Sequence, residues 1–197
     1  MKIANHLVKC STSILFAALA FHSGNAAAEL RNLPLNISLE TIESLAPQEQ
    51  PGVTCSTLAE SVGMTTGSGT MSVGYKNRGY VGPVSAVARD CATPTFVFSN
   101  GKMTIHAVNG STLTADYSGS FGGAAGSPIL TMNKDAKFTI TGGTGVFEGA
   151  YGSGKLSGYV DITNALGGMP VRMPGKLQAT GTISFSKTAF ENAYQVY

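Results

Sequence analysis

Apolar and polar residues alternate with a period of two along most of this chain, in short runs separated by glycine-rich turns about every eight to twelve residues. The clearest run closes the series: Leu177, Ala179, Gly181, Ile183 and Phe185 share one parity, while Gln178, Thr180, Thr182 and Ser184 share the other. A strand patterned this way buries one face and leaves the other in water. Ile129–Asn133, Lys137–Thr141 and Gly154–Thr163 are further strand segments, and no stretch between Cys55 and Phe185 carries helical periodicity. The pattern predicts an all-β protein, an antiparallel sandwich or barrel.

One hairpin is specified down to its register. Met103, Ile105 and Ala107 alternate with Lys102, Thr104 and His106, and beyond Asn109-Gly110 the apolar Leu113, Ala115 and Tyr117 alternate with Thr112, Thr114 and Asp116. A two-residue Asn-Gly loop would set Met103 opposite Asp116 and mix the faces. A three-residue loop of Val108, Asn109 and Gly110, with Gly110 in the left-handed region, restores parity. It pairs Ile105 with Leu113, Met103 with Ala115 and Lys102 with Asp116, and leaves His106 opposite Thr112 on the polar face.

The N-terminal stretch reads differently. Lys2 and Lys9 precede a short apolar core from Ser13 to Phe21, and Ala26-Ala27-Ala28 follows with the small residues of a cleavage site. This is the pattern of a secretory signal peptide over residues 1–28, and the apolar run is too short for a membrane span. Residues 29–52 hold Pro34, Pro47 and Pro51 with Glu29, Glu40, Glu43 and Glu49, and Leu39, Ile42 and Leu45 recur at a spacing of three. That spacing predicts an N-terminal arm with a short helical turn from Ser38 to Leu45, leading into a domain over residues 53–197.

Export narrows the chemistry. Loss of Lys2 and Lys9 leaves 11 basic against 11 acidic residues, so the mature chain presents no electrostatic footprint for nucleic acid. His6 and His22 leave too, and His106 alone cannot make a clustered zinc site; no metal or cofactor is expected. Cys55 and Cys91 remain, and an exported chain with two cysteines is expected to bridge them. The destination is the periplasm or the extracellular medium.

The densest motif is Gly142-Gly143-Thr144-Gly145-Val146-Phe147-Glu148-Gly149-Ala150-Tyr151-Gly152. The glycines permit positive φ or close backbone approach where a strand ends at Thr141, and Phe147 supplies apolar volume before the next strand. No Lys-Ser/Thr pair follows them, so a phosphate loop is excluded. The motif resembles the strand-linking turn of the allene oxide cyclase and dirigent superfamily, with Gly142, Gly143, Thr144, Gly145, Phe147, Ala150 and Gly152 on the matching positions. More loosely, the order of Gly67-Ser68-Gly69-Thr70, the Asn109-Gly110 hairpin, this turn and the final Gly181–Phe185 strand is similar to exported bacterial proteins with the allene oxide cyclase barrel. The resemblance covers about residues 60 to 186 and implies an eight-stranded antiparallel β-barrel enclosing a side-chain-lined interior. It also implies a homo-oligomer, a trimer in the plant members. Tyr151 stands where plant dirigent proteins usually carry Arg, and their catalytic Asp, Arg and Thr set has no residue-by-residue match here.

Three functions fit these observations: binding or orienting a small hydrophobic molecule in the barrel, a cyclase or isomerase acting on a bound reactive intermediate, and a structural or interaction protein of the envelope. Met103, Ile105, Leu113, Ala115 and Tyr117 are the expected lining of a ligand cavity. Glu60, Arg89, Asp90, Tyr117 and Glu148 are the candidate catalytic groups, with Tyr75 and Tyr151 as further polar candidates. Only one of the adjacent Arg89 and Asp90 can enter the barrel. A buried carboxylate would have a raised pKa and act as a general acid or base.

Overall fold

The computed structural model of the chain describes residues 29–46, 49–50, 53–55, 61–74, 80–167 and 172–186. The expected signal peptide, Glu60 and Tyr75 lie outside them. The strands are β1 (Glu29–Ala46), β2 (Glu49–Gln50), β3 (Val53–Thr54), β4 (Ser61–Val73), β5 (Val81–Ala92), β6 (Val97–Ala107), β7 (Thr112–Gly122), β8 (Ile129–Met132), β9 (Lys137–Gly143), β10 (Tyr151–Asp161) and β11 (Met173–Ser186). Among the described residues, two short 3-10 turns, at Gly145–Phe147 and Thr163–Gly167, are the only helical elements, and no helix is long and apolar enough to cross a membrane.

The chain is all-β, and its antiparallel sheet closes in a ring of eight positions. β1 pairs with β11 on one side and β4 on the other; β4, β5, β6 and β7 follow in order, and β10 returns to β11. The eighth position is shared. β9 fills it between Leu113–Ser118 of β7 and Gly152–Lys155 of β10, and β8 fills the rest beside Phe121 and Val160. Closure removes the unpaired edges that an open sheet would present.

The helical turn expected over Ser38–Leu45 is not formed. Those residues continue β1, whose Leu33, Leu35, Ile37 and Leu39 are all buried and alternate with exposed Pro34, Asn36, Ser38 and Glu40. The period of two and hydrogen-bonded neighbours on both sides outweigh a spacing of three in Leu39, Ile42 and Leu45. The hairpin has the expected register. Ile105 faces Leu113, Met103 faces Ala115, Lys102 faces Asp116 and His106 faces Thr112, while Gly110 takes φ +81°. Lys102 Nζ lies 2.7 Å from both Asp116 carboxylate oxygens on the exposed face.

The interior differs between the two ends. At one end Leu35, Met71, Val73, Leu113, Phe147, Ile183 and Phe185 pack at 0–1% exposure. Phe147 rises from the Gly145–Phe147 turn into this end and meets Tyr80 and Phe185 edge to face, with ring centroids 5.7 and 6.0 Å away. At the other end, where β1 finishes and β4 starts, smaller side chains and glycines leave space. The Cys55–Cys91 disulfide, with Cα atoms 5.5 Å apart, ties the chain just after β3 to β5 there.

Candidate functional site

At the open end of the ring a cavity of about 40 Å³ is bordered by Leu39 and Glu43 of β1, Ala86, Ala88 and Asp90 of β5, Phe98 and Met103 of β6, Tyr117 and Phe121 of β7, and Leu156 of β10. A wider hollow of about 260 Å³ lies toward the rim, sharing Glu43, Phe98, Phe121 and Val160 and adding Leu45, Phe96, Val97, Leu130, Ile162 and Met173. The deeper space accommodates one or two water-sized groups. The outer one suits a small apolar body.

Alternation within each strand sends the polar groups inward. Asp90 shares parity with buried Val84, Ala86 and Ala88 and is 5% exposed, whereas Arg89 sits on the opposite face of β5. Tyr117 shares parity with Leu113 and Ala115. Its hydroxyl donates to Asp90 Oδ2 at 2.7 Å, across the strand between them. Glu43 shares parity with Leu33, Leu35, Ile37 and Leu39, so the acid joins the inner face where β1 reaches the open end.

Two glycines make room for this cluster. Gly63 is the register partner of Asp90, and a Cβ there would collide with Asp90 Oδ1. Gly101 is the partner of Tyr117, and a Cβ there would stand 2.6 Å from the phenol ring. Each side chain therefore lies across a neighbouring backbone that carries nothing. Between them β6 slips register from Phe98 to Gly101, with Asn100 at φ +53°. Such a bulge re-aims side chains beside it.

The electrostatics follow from burial. Glu43 is raised from an ordinary 4.5 to about 7, first by removal of its carboxyl from water and then by the negative charge of Asp90. Asp90 is also raised by desolvation, against the stabilising hydrogen bond from Tyr117. Desolvation and the two acids push the Tyr117 phenol well upward, so it remains a donor throughout the neutral range. Because the folded state holds Glu43 protonated more readily than the unfolded chain, its contribution to stability is complete below about pH 4.5 and is lost as pH rises through about 7. The free energy of unfolding should rise on acidification from about pH 8 to pH 5, by at most about 2 to 3 kcal/mol, and Glu43→Gln should flatten the profile. A wild-type profile that is flat or inverted over this range would remove Glu43 from the buried cluster.

The structure brings together Asp90, Tyr117 and Met103 from the residues expected by sequence. Ile105, Leu113 and Ala115 lie in the packed interior and border neither space. Glu148 is exposed beside the Phe147 turn and Tyr151 is 49% exposed on the outer wall, both remote from the cluster by register. Glu43 is not among the groups expected from the sequence; its signal is an acid at the apolar parity of β1. Among the described residues no three His, Cys, Asp or Glu side chains gather as metal donors.

No family model matches the chain, and no curated protein matches it. Among solved structures it is similar to the pterocarpan synthase dirigent protein, with a TM-score of 0.40 and 15% identity over 80% of this chain and 86% of that one.

Proposed function

We propose that this protein binds and orients a small, largely apolar molecule at the open end of its barrel, after export to the periplasm or the medium. The observation that carries the reading is the cluster of Glu43, Asp90 and Tyr117 set into a largely apolar cavity whose far end is solidly packed. A filled structural barrel has no use for carboxyl groups on its inner face, since burying them costs free energy that apolar residues would not. Pockets that fix a ligand's orientation combine an apolar wall with a few placed polar groups. The disulfide supports the oxidising destination.

An environment-sensitive apolar dye titrated into the folded protein should bind saturably with one site per chain. Ala88→Phe, which fills the deeper cavity, should abolish that binding while the protein still unfolds cooperatively. Absence of saturable binding to the wild type would sink the proposal. Native mass spectrometry of the same preparation reads the assembly state, for which the resemblance implies a trimer.

A second reading, an isomerase or cyclase, is favoured by one observation: Glu43 at about 7 beside Asp90 can give and take a proton near neutrality. It requires turnover with a dependence on Glu43 ionisation, and binding alone does not.

A further inference from the structure

We infer that the molecule held at this end carries a protonated amine on an apolar body, with the ammonium group in the deeper cavity and the body in the hollow at the rim. This rests on the binding reading above and deepens it.

Three observations converge. Asp90 is 5% exposed, and while Oδ2 accepts the Tyr117 hydroxyl, Oδ1 has no hydrogen-bond partner among the described residues. A buried carboxylate oxygen left unmatched costs heavily, and a charged donor offsets that cost best. Next, Asp90 and Glu43 oppose each other electrostatically inside the same apolar wall, and no described cation answers them there. Lys176 borders the cavity, but its Nζ lies 2.8 Å from Glu40 Oε1 on the outer face and the side chain is half exposed. Lys102 is held outside by Asp116, and Arg89 occupies the outer face of β5. Third, Phe98, Tyr117 and Phe121 form a ring cluster on the cavity wall, with centroids 6.0 Å apart for Phe98–Tyr117 and 5.2 Å for Phe98–Phe121. Aromatic faces beside carboxylates are the surroundings that hold an organic ammonium ion, through the ring quadrupoles as well as the formal charges.

The same arrangement rejects anions. A ligand carboxylate in the deeper cavity would place a third acid beside Asp90 and Glu43, in a region where charges are poorly screened. A fatty acid is therefore the wrong ligand despite its apolar chain. The sizes agree with the orientation: the inner space takes a group the size of an ammonium ion, and the outer one takes the body.

The test is calorimetric titration of the disulfide-bonded protein with hexylamine, hexanol and hexanoate at neutral pH, in two buffers of different ionisation enthalpy. Hexylamine should bind at least about tenfold more tightly than hexanol and hexanoate more weakly than either, because charge complementarity separates ligands of one shape. Hexylamine binding should also release protons, since a cation beside Glu43 favours its ionised form. The double variant Glu43→Gln, Asp90→Asn should bring the hexylamine and hexanol affinities together, and Tyr117→Phe should retain a hexylamine preference. Saturable hexanol binding without an amine preference, or tighter binding of hexanoate, would overturn this inference and leave the apolar-site reading standing. No saturable binding of any of the three or of the dye would overturn both.

Discussion

Phe147→Ala is expected to destabilise the protein by about 3 to 5 kcal/mol, the range for deleting a fully buried aromatic ring. Phe147 is 0% exposed and meets two further rings edge to face, Tyr80 and Phe185. Those contacts add to the loss beyond area alone. The site also lacks the means to collapse. Phe147 belongs to a turn whose backbone is fixed by hydrogen bonds from Phe147 N to Thr144 O and from Ala150 N to Phe147 O, so neighbours cannot follow the missing ring inward. Urea unfolding monitored by circular dichroism reads the effect. A variant with the wild-type midpoint would show that the Gly142–Gly152 turn does not seal the barrel.

Replacing both Cys55 and Cys91 by Ser is expected to cost a similar amount. The bridge spans 36 residues, for which the chain-entropy model gives about 3 to 4 kcal/mol. Domains are stable by only about 5 to 15 kcal/mol in total, so either substitution alone removes a large share. The expected readout is a lower denaturant midpoint for the double-Ser protein and for wild type unfolded under reducing conditions. Equal midpoints with and without reductant would mean that the bridge contributes nothing to the fold. The two losses should add, because Phe147 sits at the packed end and the disulfide at the open end.

These two sites were legible in the sequence for different reasons. Phe147 stands in a glycine-rich turn that a strand connection explains, and the cysteine pair follows from the expected export and from their number. The hairpin register was legible because the period of two admits only one parity across an Asn-Gly loop. β1 departs from the expected helical turn where its signal weakens: past Leu39 both faces of the strand become partly exposed at the open end, so Ile42 and Leu45 lose the contrast that marks a strand. The same weakening concealed Glu43. Asp90 and Tyr117 were visible as inward candidates, but their meeting was not, because it depends on a bulge in the strand between them and on Gly63 and Gly101, whose role is set by partners distant in sequence.

The shared eighth position has a mechanical consequence. β8 pairs with β7 at Phe121↔Met132 and Gly122↔Thr131 and with β10 at Tyr159, Val160 and Asp161, and the adjoining Asn133 N–H and Ile162 N–H donate to Ser120 O and Pro128 O. β9 anchors the remainder of that position independently, along Leu113–Ser118 and Gly152–Lys155. The wall is thus built like a stave cut in two, its short and long pieces held by separate ladders. Parting of the short piece would break few ladder bonds and leave the packed end untouched, so local opening at the mouth and global unfolding would be separate events.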